Sequence, residues 1–66
     1  MQIELNGQAR PLQPGTTVAA LLQELGYAGK RLAVERNGEI VPKSQHPQAE
    51  LADGDKLEIV VAVGGG

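Results

Sequence analysis

The 66 residues carry six Lys or Arg against eight Asp or Glu, a formal net charge of −2, with one aromatic residue, Tyr27, and no cysteine. That inventory excludes disulfides, a thiolate metal site and a cysteine nucleophile, and it lacks the basic face and stacking rings of a nucleic-acid binder. A single domain of this size buries only about 60 % of the surface its unfolded chain exposes, which leaves a thin core and no room for an enclosed catalytic cleft.

Gln2-Ile3-Glu4-Leu5-Asn6 alternates polar and apolar residues, the pattern of a half-buried strand. Asn6-Gly7 is a hairpin signal, and a second strand is expected over 8–13, with Pro11 favouring an edge position. Pro14-Gly15 supplies a turn, and Thr16-Thr17 offers a hydroxyl to cap a helix. Val18, Leu21, Leu22 and Leu25 then share one helical face over about nine residues, and Gly26 stands where a left-handed C-terminal cap is expected.

Leu32-Ala33-Val34-Glu35-Arg36 reads as a third strand, Asn37-Gly38 as a second hairpin turn, and Glu39-Ile40-Val41 as a short return strand stopped by Pro42. Residues 43–52 are polar and interrupted by Pro47, so an irregular segment is expected there. Asp53-Gly54-Asp55 is a turn; it lacks the oxygen series and closing glutamate of a calcium loop. Lys56 to Val63 is the longest strand candidate, and its apolar run suits the centre of a sheet beside the first strand. A hairpin, one helix and further strands predict an α+β domain. By analogy this is the β-grasp, or ubiquitin-like, arrangement: a mixed sheet of four to five strands with one helix across it. The expected division is a domain over 1–63 and a glycine tail over 64–66.

The tail Gly64-Gly65-Gly66 carries the most chemical information. Glycine has no Cβ and contributes little to a fold. Three such residues make a thin arm of about 10 Å at ~3.3 Å per residue, able to thread a partner's narrow active site. At its tip the Gly66 carboxylate could be activated as an acyl-adenylate and then displaced by a sulfur nucleophile to give a thiocarboxylate. The partner would supply ATP and electrostatic stabilisation. No catalytic residue, metal or bound cofactor on this chain is required. Three terminal glycines are also what a frayed end or a cloning remnant looks like.

Other candidates are weaker. His46, the sole histidine, is expected on a surface loop, and Ser44 beside it has no orienting acid in the sequence. No helix follows the glycines, so they are no phosphate loop. If Leu57, Ile59 and Val61 face the core, Val60 and Ala62 face outward near the tail as candidates for partner docking. The alternative is a strand covered on both faces. The absence of cysteine and of any apolar run long enough for a membrane span or signal peptide predicts a cytoplasmic protein.

Several pieces together resemble the ThiS family of sulfur carriers of thiamin thiazole synthesis. They are Met1-Gln2-Ile3 with Asn6-Gly7, Thr17-Val18 with Leu21-Leu22, Ala33-Val34-Glu35 with Asn37, Ile40-Val41-Pro42, Ser44-Gln45-His46, Asp53-Gly54-Asp55 and Ala62-Val63-Gly64-Gly65-Gly66. The resemblance covers essentially the whole chain. It implies a carrier rather than an enzyme, adenylated at Gly66 by a ThiF-like enzyme. It also implies sulfur supply through a cysteine-desulfurase relay and delivery to ThiG, the thiazole synthase. Arg36 departs from the mostly uncharged position before the Asn in that family. A MoaD-like carrier for molybdopterin or another sulfur metabolite uses the same chemistry. So, at its first step, does a ubiquitin-like protein modifier. The lack of Phe and the ending Val63-Gly64-Gly65-Gly66 weigh against MoaD.

Overall fold

The computed structural model describes residues 1–62. Five strands form one sheet in the order β2-β1-β5-β3-β4, with a single α-helix packed on it. In chain order they are β1 (Gln2–Leu5), β2 (Gln8–Pro11), α1 (Val18–Glu24), β3 (Leu32–Arg36), β4 (Glu39–Ile40) and β5 (Lys56–Val61), with a 3₁₀ turn at Lys43–Gln45 between β4 and β5. β5 runs parallel to β1 and antiparallel to β3, which makes the sheet mixed and puts the last strand at its centre.

The local devices act where the residue types place them. Both Asn-Gly pairs take positive φ, Asn6 at 49° with Gly7 at 83° and Asn37 at 53° with Gly38 at 87°. Positive φ at both central residues gives the tight turn whose twist matches paired strands. Thr17 caps α1, its hydroxyl accepting from the Ala20 N–H at 3.1 Å. Gly26, at φ 77°, ends the helix. Its N–H donates to the Gln23 carbonyl and that of Tyr27 to the Leu22 carbonyl, the paired bonds of a Schellman cap. α1 is seven residues long rather than about nine, because this cap closes after Leu25. Pro11 lies on the edge strand β2, where its missing N–H costs no ladder bond.

Ile3, Val18, Leu21, Val34 and Leu57, each at most 2 % exposed, form the centre of the core between sheet and helix. Leu12, Leu22, Leu51 and Ile59 extend it, and Leu25 and Tyr27 pack at its margin.

Apart from its 3₁₀ turn the segment 43–52 is irregular and mostly exposed, as its polarity leads one to expect, but two of its residues are buried. Leu51 is buried and His46 is only 7 % exposed. The cause is the helix N-terminus, whose first N–H groups need acceptors. The Ala49 carbonyl accepts from Val18 N at 2.9 Å, and the His46 carbonyl from Ala19 N at 3.0 Å. The His46 ring is also engaged, its Nε2 lying 3.0 Å from the Val41 carbonyl oxygen. The expectation of a surface histidine is therefore corrected. His46 is a packed residue that ties the 43–52 segment, the return segment between β4 and β5, to both β4's exit and the helix.

Asp55 is the second unexpected element. It is 7 % exposed and collects donors from three places. Oδ2 accepts from Ala52 N at 2.8 Å and Arg36 Nε at 2.9 Å, with Arg36 Nη2 at 2.8 Å, while Oδ1 accepts from Asn37 Nδ2 at 3.1 Å. This explains the charged residue at position 36: Arg36 neutralises the buried end of the Asp53-Gly54-Asp55 turn. Burial pushes the Asp55 carboxyl upward, but the Ala52 N–H, the Asn37 amide and the Arg36 guanidinium outweigh it. The group is held below its ordinary value.

A depressed carboxyl stabilises the fold fully above its unfolded-state pKa and loses that contribution as pH falls through the folded-state value. Asp55→Asn should cost about 2 kcal/mol near neutral pH, because it leaves Arg36 without its counter-charge. The gap between native and variant should shrink as pH is lowered toward ~2. Urea midpoints across that range check it; a gap constant with pH would assign the loss to packing alone.

Candidate functional site: the outer sheet face and the root of the tail

The modified residue and the arm expected from the sequence, Gly64, Gly65 and Gly66, lie outside the described residues, as does Val63. What the structure places is the strand leading to them and the surfaces on either side. β5 alternates as expected from its sequence: Leu57 and Ile59 are buried and Val61 half-buried, while Glu58, Val60 and Ala62 are exposed. Val60 is 62 % exposed, so the reading in which the domain covers both faces of this strand does not hold. The strand ends at Val61, but the Ala62 N–H still donates to the Arg31 carbonyl at 2.9 Å, fixing the root of the tail against the start of β3.

Register assembles the rest of this face. Val60 pairs with Ala33, and Glu58 with Glu35, across the β5–β3 ladder. Glu35 in turn pairs with Ile40 on β4. Directly paired residues share a face, so Val60, Ala33 and Ile40 join Ala62 in an apolar stripe. Ile40 is 61 % exposed. Sequence reasoning placed Val60 and Ala62 on this surface but missed Ile40 and Ala33. The signal for them was present in the hairpin register set by Asn37-Gly38, which puts Ile40 opposite Glu35. Beside the stripe, two carboxylates of like charge, Glu35 and Glu58, stand opposite one another, an arrangement that works against sheet stability. Lys56 lies 3.8 Å from Glu4 further along the same face.

This surface holds no nucleophile with an adjacent base. Among the described residues no group of three or more His, Cys, Asp or Glu is placed to hold a metal ion. Among them, too, no helix is long and apolar enough to cross a membrane. The arrangement can bind: an exposed apolar stripe with an acidic border, continuous with the strand that carries the tail.

The chain matches the ThiS family model over residues 3–66. It is 40 % identical over 65 residues to the sulfur carrier protein ThiS of Bacillus subtilis, covering 97 % of this chain and 98 % of that protein. It is 53 % identical over all 66 residues to part of a thiazole synthase of Paramagnetospirillum magneticum, of whose length it spans 20 %. Its fold superposes with a TM-score of 0.84 on the crystal structure of the thiamine biosynthesis protein ThiS of Geobacter metallireducens, 29 % identical, with 100 % of each chain covered. With the fold and the sequence over essentially its whole length agreeing, this chain belongs to the ThiS family.

Proposed function

We propose that this chain is a sulfur carrier in the thiazole branch of thiamin biosynthesis, working through the Gly66 carboxylate. The observation that carries the reading is the end-to-end match to sulfur carrier proteins, running through the terminal glycines. In the proposed cycle a ThiF-like enzyme directs the Gly66 carboxylate at the α-phosphorus of ATP, giving an acyl-adenylate and releasing pyrophosphate. A persulfide carried by a cysteine-desulfurase relay then displaces AMP at the acyl carbon, and a thiol reductant cleaves the resulting acyl disulfide, leaving the thiocarboxylate on Gly66 and a disulfide between the carrier cysteine and the reductant. Thiazole synthase is the recipient, a role supported by the 53 % identity to a segment of a protein of that name. The carrier binds no cofactor and acts as a co-substrate, with ATP held by the activating partner. Its compartment in this reading is the cytoplasm.

The chain's own contribution is presentation. A carboxylate on Cβ-free residues can enter an active site too narrow for side chains. The strand behind it is paired with β3 as far as Val61, so docking at Val60, Ala33 and Ile40 fixes the strand end from which the tail leaves. Preorganisation of this sort reduces the entropy lost when the partner closes on the tail.

Intact mass after incubation with a ThiF-like enzyme, ATP and a sulfur source should rise by the difference between sulfur and oxygen. Deletion of Gly66 should abolish the rise while leaving the thermal transition unchanged, since a glycine has no side chain to contribute to the core. No rise with an enzyme proven active on its own carrier, or a covalent adduct with lysines of other proteins, would replace this reading with that of a protein modifier.

Val60→Asp places a charge in the middle of the apolar stripe and beside Glu58. Affinity for the activating enzyme should fall about tenfold or more, as when a charge enters the core of an interface. The free domain should stay folded, because Val60 is already exposed. Isothermal titration measures the first and circular dichroism the second; unchanged affinity in a folded variant removes the stripe from the docking surface.

A further inference from the structure

On the helix side of the sheet, opposite the apolar stripe, a cleft of about 330 Å³ opens between α1, the 27–32 connection and the return segment. Leu22, Tyr27 and Pro47 form its apolar lining, and Lys30, Arg31 and Lys43 stand around it. These three side chains are exposed. The chain has six Lys or Arg. The other three are engaged: Arg10 with Glu24 at 3.6 Å, Arg36 with Asp55 at 2.8 Å and Lys56 with Glu4 at 3.8 Å. Among the described residues, then, the Lys and Arg side chains without a carboxylate partner all border one cleft, in a chain whose formal net charge is −2.

Its position gives this segregation a second meaning. Arg31 is the residue whose carbonyl holds the Ala62 N–H at 2.9 Å. The basic cleft therefore adjoins the root of the tail from the helix side, while Val60 and Ala33 flank it on the sheet side.

We propose that this cleft receives an acidic segment of a partner protein, one apolar side chain entering between Leu22, Tyr27 and Pro47 while flanking carboxylates meet Lys30, Arg31 and Lys43. The proposal deepens the reading of the chain as a carrier handed between enzymes and rests on it for the partner's purpose. The form of the cleft selects the occupant. Its volume suits one or two side chains, its walls are apolar, and its charges lie at the exposed rim. A small anion would meet the rim and leave the apolar lining wet, whereas a peptide with an apolar residue between acids satisfies both. Rim charges of this kind act mainly on the association rate and its salt dependence. A partner so engaged grips the tail root from both faces and fixes the orientation of the strand end.

The test is an amide NMR titration of the ¹⁵N-labelled chain with a blocked peptide of sequence Asp-Glu-Leu-Glu-Asp, and separately with inorganic phosphate and pyrophosphate. The expected result is a saturable shift at residues 27–32 and 43–47 with the peptide. It should weaken about tenfold in a Lys30→Glu, Arg31→Glu, Lys43→Glu variant, and also as added salt shortens the screening length. Should the charge-reversed chain lose its amide dispersion, the Lys30→Gln, Arg31→Gln, Lys43→Gln variant takes its place. No saturable shift at those residues, or an equal response in the folded variant, overturns the proposal. Equal saturation by phosphate or pyrophosphate, with nothing added by the leucine, overturns it in favour of a small-anion site. The Gly66 mass assay run on the same native sample separates the two readings. A chain that gains sulfur but ignores the peptide loses only the cleft. A chain that takes the peptide but gains no sulfur keeps the cleft and loses the carrier.

Discussion

The backbone pairing of β5 is the constraint on which the rest of the molecule depends. The last strand sits between the first and the third, parallel to one and antiparallel to the other, so neither hairpin belongs to the same sheet without it. Two side-chain amides reinforce it. Asn6 donates from Nδ2 to the Ile59 carbonyl at 3.3 Å and accepts the Ile59 N–H on Oδ1 at 2.9 Å, extending the ladder beyond the end of β1. Asn37 accepts the Lys56 N–H on Oδ1 at 2.9 Å, at the other neighbour's turn. Each Asn-Gly pair thus does more than reverse the chain. The same asparagine that tolerates positive φ clasps the central strand with its side chain. Because contacts between the two ends of the chain must form before the sheet closes, folding of this domain is governed by non-local pairing rather than by its short helix.

A central strand with a strict period of two also separates the functions of its faces. Leu57 and Ile59 belong to the core, while Glu58 and Val60 are given to the surface. A domain this small cannot cover both faces of its sheet, since among the described residues one α-helix packs on it, and that on one side. The bare face is the consequence of size, but its content is not. Two large exposed apolar residues, Ile40 and Val60, and two carboxylates opposed across the ladder, Glu35 and Glu58, are a combination that stability alone would not favour. Such a face is what the docking role proposed above would need.

What could be read in the sequence was whatever short-range chemistry decides. The turns at Asn6-Gly7 and Asn37-Gly38, the Thr17 cap, the Gly26 stop and the inward positions of β5 follow from residues within a few places of one another. What could not be read was long-range. Asp55 looked like a turn residue because the donors that bury it, Arg36 and Asn37, lie 19 and 18 residues earlier. Arg36 looked anomalous for the same reason. Within the irregular segment 43–52, His46 looked like a surface residue because polarity is averaged over side chains, whereas the segment is held by its backbone: its carbonyls at 46 and 49 answer the helix's N–H groups, and Leu51 N returns to the Thr16 carbonyl at 2.9 Å. Of the site, Val60 and Ala62 were legible from alternation; Ile40 needed the register of a second strand pair.

The distribution of charge follows from the same architecture. The sheet face near the tail is apolar with an acidic border, and the cleft behind it is apolar with a basic rim. The two meet at the Ala62–Arg31 hydrogen bond. The carrier proposed above, presenting its terminus to more than one enzyme, needs no reactive side chain, but it does need an orientation, and a single apolar stripe leaves rotation about its own normal weakly defined. Two surfaces of opposite sign on opposite sides of the tail root remove that freedom. A partner rotated by half a turn would set its acids against Glu35 and Glu58, and like-charge contacts of that kind discriminate against the wrong pose more strongly than the right contacts favour the correct one.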